Sequence, residues 1–523
     1  MRLKRVFLIS GATLVVLVLL VTGLLFVVIS GIDDPFMPLY ADNCSECHGQ
    51  NFEGTVQGPA LVGPDLIHGD SVVEISASIA SGFPAAGMPG WSAIFNEAQV
   101  QSLAILIAEK RVDRNFTDFK TDKELVIPAG LIESELVSFR VETVASGIDP
   151  FPFSIAPLPD GRILLTEKSR GLRIISIDGQ LSEPIEGTPE TSNLGFEIMG
   201  LNIGIGWLLD VALHPDYADN GWIYLLHTDL CGDCEDGGGF IIPISMNRVV
   251  RGRIRDGVWE DQEVIWSVSP EFYSSVPDIG AGGRLAFDPA GYVYLSVGLK
   301  GADNYVGIQD LSTPYGKIHR VHYDGRVPSD NPFIDRPGAQ PSIWSYGHRS
   351  PQGLEFNAKT SELWGTEMGP RGGDEVNLLQ AGGNYGWPLY SKGVDYDGTP
   401  VEYWKELGIE FDLKDIEQPV IDLTPSPAVS SFIVYDGEAF PEWQDDFIVG
   451  SLKATELYRF VVDGSNHLHS EILLKDLARI RDVETGPDGT IYLLLEHATD
   501  GQIVRLVPEN RPVNVSAIAA DRS

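Results

Sequence analysis

Arg481-Asp-Val-Glu-Thr-Gly-Pro-Asp-Gly-Thr-Ile-Tyr-Leu-Leu494 decides the fold of most of this chain. Two short strand-compatible runs flank Gly-Pro-Asp-Gly, in which Pro presets φ and Asp and Gly accept turn geometry, so the stretch reads as a β-hairpin. Similar units recur upstream. Phe153–Leu165 carries its own Pro-Asp-Gly turn, and Leu209–Tyr217 is followed by Trp222–Leu226. Arg284–Leu295, Gly353–Phe356 with Leu363–Trp364, and Ser431–Tyr435 with Asp446–Val449 continue the series. Six units at intervals of about 40 to 80 residues, with long amphipathic helices nearly absent, predict a six-bladed β-propeller with inserted loops. Such a fold collects loops from every blade around one axis, where a single pocket is expected.

A different chemistry stands near the N-terminus. Cys44-Ser-Glu-Cys47-His48 has the spacing of covalent c-type haem attachment: two thiols bond the haem, and the adjacent imidazole becomes an axial iron ligand. Forty residues on, Phe83-Pro-Ala-Ala-Gly-Met88-Pro-Gly-Trp91 is a Gly/Pro-bracketed loop able to aim a thioether at the iron. Met88 is therefore the expected second axial ligand, ahead of His68. Residues 36–111 resemble a small class I cytochrome c, with Gly58–Leu66 as a wall for haem c and a closing helix over Glu97–Arg111.

Between Val6 and Ile32 there is no charged residue, and Arg2, Lys4 and Arg5 precede that run. Its length suits a single membrane-spanning helix, and the positive flank puts the bulk of the chain on the periplasmic or extracellular side of the cytoplasmic membrane. A cleaved signal peptide is the rival reading. The expected organisation is multidomain: anchor 1–33, all-α cytochrome c domain 34–111, linker 112–136, propeller 137–510 and a tail 511–523. Lys+Arg of 37 against Asp+Glu of 74 gives a net charge of −37, which excludes nucleic acid as a partner for want of a basic footprint. Cys231 and Cys234 are the remaining cysteines; no His follows them, and in an exported protein a small loop disulfide is favoured over a metal pair.

The separated motifs of residues 140–508 resemble the pyrroloquinoline quinone (PQQ)-dependent soluble glucose and aldose sugar dehydrogenases, the glucose/sorbosone dehydrogenase family. They are Leu208–Asp216, Gly282–Leu285, Tyr346–Leu354, Glu367–Asn377, Gly382–Pro388, Ser451–Lys453 and Arg479–Asp482. The resemblance implies that Arg349, Lys453, Arg479 and Arg481 hold PQQ, a planar o-quinone with three carboxylates suited to paired Arg donors. It also implies Ca²⁺ bound through carbonyls at Gly369 and Pro370. Asp374 and Glu375 then either help bind calcium or shape the turn.

The resemblance breaks at the base. The family's proton-abstracting His falls at Gly280, in Pro277-Asp-Ile-Gly-Ala-Gly-Gly-Arg-Leu285, and its acidic partner falls in the turn Gly298-Leu299-Lys300-Gly301. Asp278, Asp303 and His348 are the replacement candidates, and Lys300 is a candidate for orienting an anionic substrate. The expected function is oxidation of a sugar-like substrate at PQQ, with electrons passing to the fused haem and on to a respiratory or soluble cytochrome. The alternative is an electron-transfer cytochrome carrying an inactive or repurposed propeller.

Overall fold

The computed structural model describes residues 34–149, 151–198, 201–232, 243–302 and 305–509. The apolar run expected to anchor the chain lies outside them, as do Cys234, Asp303 and the C-terminal tail; Cys231 itself is disulfide-bonded. Among the described residues no helix is long and apolar enough to cross a membrane.

The chain divides into two compact units. One runs through Asp118 and takes in Val394–Thr399; the other is Phe119–Gly393 and the chain from Pro400 onward. The first unit is helical. Its helices over Val72–Ser81 and Glu97–Arg111 both open with reciprocal capping boxes, Ser71 with Glu74 and Asn96 with Gln99. Glu97–Arg111 buries Val100 and every residue from Ser102 to Glu109, so it is the centre of this core, packed with Phe36, Tyr40, Ile75 and Ile79.

The second unit is the propeller, and all six sequence units are hairpins within it. Its innermost strands are Pro152–Pro157, Leu208–Leu213, Gly282–Asp288, Pro351–Asn357, Val429–Val434 and Arg479–Thr485. Each pairs antiparallel with the next strand of its own blade. The last blade is closed by an N-terminal strand, Ser138–Ile148, which pairs with Gly501–Pro508 and joins the two ends of the unit.

The hydrophobic core is six sandwich layers, one between each pair of neighbouring blades. Successive strand residues point to opposite faces, so adjacent leucines serve different layers. Leu208 packs toward the first blade and Leu209 toward the third. Leu493 and Leu495 face the fifth blade, and Leu494 faces the first. Both faces of each blade are dry, which is why runs such as Ile491–Leu495 are continuously apolar rather than alternating.

All six innermost strands carry a register irregularity close to their N-terminal ends, between Pro152 and Ser154, Leu208 and Val211, Gly282 and Leu285, Pro351 and Gly353, Val429 and Phe432, and Ile480 and Asp482. Bulges bend a strand and re-aim its side chains. Repeated at the same end of every blade, they form a rim around the axis, and the expected site residues lie along it.

Candidate functional site

In the helical unit, Cys44 lies at the junction of Met37–Asn43 and the short turn Ser45–His48. The His48 ring nitrogen Nδ1 is 2.8 Å from the Pro59 carbonyl, which only accepts, so Nδ1 carries the proton and Nε2 is left as the coordinating nitrogen. Gly58 fits tightly here, because a Cβ at that position meets the Cys47 carbonyl at 2.9 Å. Arg111 clamps the intervening wall, donating to the carbonyls of Leu61 (2.7 Å) and Pro64 (2.9 Å) and to Asp70 (2.6 Å). The Met88 loop is closed on itself: Phe83 and Met88 exchange backbone hydrogen bonds of 2.8 and 3.2 Å around left-handed Gly87. The His68 ring stacks on Phe83 at 4.0 Å. Two thiols, an oriented imidazole and a pinned thioether are the donor set that haem c requires.

In the propeller, site residues sit where innermost strands begin and where second strands end, which is one face of the ring. Arg479 and Arg481 open the last innermost strand, and Glu496 ends its partner. Glu496 ties the arginines together, accepting from Arg479 Nε at 2.9 Å and from Arg481 Nη2 at 3.0 Å. Burial alone raises a carboxyl; here Arg481, Arg479 and Lys168 outweigh it and hold Glu496 at about 2. Arg481 Nε is buried without a hydrogen-bond partner, which leaves the cluster a donor to spare. Arg479 Nη1 donates to the Phe119 carbonyl (2.7 Å), and Lys453 Nζ lies 5.8 Å from the Phe119 ring. The connector thus lies along this face, fastened further by Lys123 to Asp476 (3.0 Å) and by the Ala498 amide to the Thr121 carbonyl (2.7 Å). Arg349 donates to the Met368 carbonyl at 3.1 Å, and its guanidinium lies 5.2 Å from the Trp387 ring. Glu367 organises this loop by accepting from the Arg349 and Ser350 amides and from His348. A buried cation cluster with an unmatched donor fits a polycarboxylate such as PQQ.

The expected base candidates are occupied by structure. Asp278 is buried; Oδ1 pairs with Lys300 Nζ at 2.6 Å, while Oδ2 accepts from the Gly206 amide (2.8 Å), the Trp207 amide (3.2 Å) and Thr228. Lys300 also donates to Ser245 (2.7 Å) and to the Val276 carbonyl (2.5 Å), so it braces the second and third blades rather than facing a substrate. Burial lowers its ammonium pKa, and Asp278 opposes the shift. His348 is 1 % exposed, with Nδ1 donating to Glu367 (2.9 Å), Nε2 accepting from Ser345 (2.8 Å) and the ring stacked on Tyr385. Asp303 is outside the described residues.

Gly280 and Leu299 nonetheless face one another. The Leu299 amide donates to the Gly280 carbonyl at 2.7 Å, and a Cβ at Gly280 meets Leu299 Cβ at 3.2 Å. The two positions to which the resemblance assigns a base and its acidic partner thus adjoin, and neither carries an ionisable side chain.

In the acidic loop, Asp374 spends its carboxylate on the chain itself, accepting from the Gly369 amide (3.0 Å) and the Val429 amide (2.8 Å). It shapes the turn. Glu375 accepts from Asn377 at 3.1 Å. Sequence reading assigned no role to Lys168, Glu496, Glu367 or Phe119; the first three reach the rim at the ends of second strands, and Phe119 through its hydrogen bond with Arg479.

Comparison with known proteins agrees with both halves. The family model described as Glucose / Sorbosone dehydrogenase matches residues 150–505, and the one described as Cytochrome C oxidase, cbb3-type, subunit III matches residues 35–107. The aldose sugar dehydrogenase YliI of Escherichia coli (strain K12) is 35% identical over 376 residues, covering 71% of this chain and 93% of that protein. Quinoprotein glucose dehydrogenase B of Acinetobacter calcoaceticus is 26% identical, covering 72% and 89%. Among solved structures, the apo soluble aldose sugar dehydrogenase from Escherichia coli superposes with a TM-score of 0.61 at 34% identity, covering 71% of this chain and all of that one (100%). The PQQ-bound aldose sugar dehydrogenase from Streptomyces coelicolor gives 0.53 at 25%, covering 73% and 100%. The chain belongs to the glucose/sorbosone dehydrogenase family, its six-bladed propeller preceded by a cytochrome c domain.

Proposed function

We propose that this protein is a quinohaemoprotein that oxidises a sugar-like substrate at PQQ on the propeller face, with the haem as its one-electron outlet. The observation that carries the reading is the buried set Arg479, Arg481 and Glu496 beside Lys453, in a chain with twice as many acids as bases. When bound, the quinone supplies a two-electron acceptor. The chain's own residues do the rest. Arg479, Arg481, Lys453 and Arg349 hold carboxylates; Glu496 fixes the directions of Arg479 and Arg481, and Glu367 holds the backbone that carries Arg349. His48 and Met88 hold the haem iron, and Cys44 and Cys47 attach the haem covalently. Ca²⁺ belongs to the same reading, with carbonyl oxygens of the Gly369–Pro370 turn as hard donors. Covalent fusion raises the effective concentration of the electron acceptor. The charge-free run from Val6 to Ile32 supports a single-pass anchor in the cytoplasmic membrane, with the folded units outside the cytoplasm and a cytochrome as the onward partner.

A second reading rests on Gly280, Leu299 and the engaged Asp278 and His348: a propeller that binds PQQ without efficient turnover. One spectrum separates the two. Haem-loaded protein is given PQQ and Ca²⁺, then aldoses and sugar acids, and the visible haem band is followed. Reduction requiring both PQQ and a sugar is the expected result. PQQ binding without reduction selects the second reading, and absence of PQQ binding overturns the proposal.

The axial assignment has its own test. Met88→Ala should leave haem covalently attached but abolish the sulfur-to-iron charge-transfer band and lower the reduction potential, because Met/His ligation raises it. An unchanged spectrum would transfer the role to another residue, His68 first.

A further inference from the structure

Lys168 follows Ile163–Glu167, the second strand of the first blade, and so reaches the rim at the same end as Glu496 in the neighbouring blade. Its side chain is 8% exposed, and Nζ lies 3.7 Å from Glu496 Oε1. The Trp207 and Phe153 rings flank the ammonium at 4.8 and 5.9 Å to their centroids. The charged groups facing it are Glu496, Arg479 and Arg481, all from the last blade. The adjacent Glu167 is turned away, pairing with Arg173 at 3.2 Å and accepting from the Asp149 amide.

Three cations therefore share one carboxylate in a buried place. Among the described residues, Arg479 and Arg481 find only neutral further acceptors, the Phe119 carbonyl and Gln352. Buried charge is costly unless it is paired, so a local excess of two positive charges is a standing demand for an anion. Burial first, then Arg481 and Arg479, pushes the Lys168 ammonium down to about 7 against the pull of Glu496.

We propose that Lys168 is a fifth cationic contact of the cofactor clamp, engaging a carboxylate of PQQ alongside Lys453, Arg349, Arg479 and Arg481. This rests on the PQQ reading above and adds a residue and a proton to it. An arriving carboxylate stabilises the ammonium form and raises the Lys168 pKa. Below pH 7 the lysine is already charged, and binding takes up no proton there. Above pH 7 binding draws one proton from solvent, and affinity falls as pH rises, by up to tenfold per unit.

The test is calorimetric titration of PQQ into the full haem-loaded protein with Ca²⁺, between pH 6 and 9, in buffers of different ionisation enthalpy. Lys168→Met should weaken PQQ binding by about 10- to 100-fold, the range of a hydrogen bond to a charged group. Lys168→Arg stays charged throughout, so it should bind within a few-fold of wild type at pH 6 and lose the wild-type proton uptake above pH 7. A merely structural lysine would not move the proton count. Wild-type binding with Lys168→Met and Lys168→Arg indistinguishable from it in affinity and proton uptake overturns this assignment while leaving the PQQ reading intact. No binding by wild type overturns both.

Discussion

Lys300→Met is expected to destabilise the propeller by about 3–5 kcal/mol, because removing one partner of a buried ion pair strands the other charge without water. Asp278 and Lys300 have fully buried side chains and are 2.6 Å apart. The pair joins blades through several elements: Asp278 holds the Gly206 and Trp207 amides, and Lys300 holds Ser245 and the Val276 carbonyl. Loss of the ammonium leaves Asp278 charged in a dry seam. Asp278→Asn added to Lys300→Met removes that charge and retains an acceptor for the two amides and Thr228, so the double variant should recover most of the loss. Urea unfolding followed by tryptophan fluorescence measures both. A single-variant loss below about 1 kcal/mol, the scale of an exposed pair, would show that the seam is wet and the pair dispensable.

The propeller was legible because its signal is local. Each blade announces itself as two apolar runs around a turn, and Leu-Leu pairs such as Leu164-Leu165 report strands buried on both faces. In the small unit the helix over Glu97–Arg111 was legible in its own run, whereas the helix over Val72–Ser81 and the capping boxes at Ser71 and Asn96 emerge only in the structure. Closure was not legible: Ser138–Ile148 finds Gly501–Pro508 across the whole length of the propeller, and no local pattern encodes that pairing. The site divides along the same line. Arg479 and Arg481 stand out as neighbours in sequence, whereas Glu496, which orients them, and Lys168, which shares it, come from a second strand and another blade. Asp278 looked available because it sits beside Gly280 in sequence; its partner Lys300 lies a full strand pair away, and only packing reveals that the carboxylate is taken. The acidic loop shows the same effect, since the amide of Val429 that occupies Asp374 begins the next blade's innermost strand.

Gly280→His combined with Leu299→Asp is expected to raise turnover of aldoses by about 10²- to 10⁴-fold, the usual contribution of a positioned base. The backbone is already arranged for the pair. The Leu299 amide donates to the Gly280 carbonyl and the Gly298 amide to the Ala281 carbonyl, at 2.7 and 3.0 Å, which fixes the two loops against each other. Gly280 is outside the left-handed region, so an L side chain is tolerated there without backbone strain. The obstacle is Leu299, whose Cβ, Cδ1 and Cγ stand 3.2 to 3.5 Å from a Cβ at position 280. Gly280→His alone meets that side chain and lacks an acceptor for its second ring nitrogen, so it should gain far less than the pair. Leu299→Asp keeps Cβ and Cγ in place but puts smaller oxygens where the two methyl groups stood, and it supplies the acceptor that fixes the imidazole tautomer. The gain should grow as pH rises through about 6.5, where a histidine becomes a base. If the double variant binds PQQ as wild type does and shows no gain, the oxidation depends on a different proton acceptor, and the reacting hydroxyl lies elsewhere on the rim. If wild type already turns over aldoses at the double variant's rate, the substitution at Gly280 has been compensated within the native site. A gain confined to the pair would mean that this propeller retains the frame of a sugar dehydrogenase and lacks its base and the base's acidic partner.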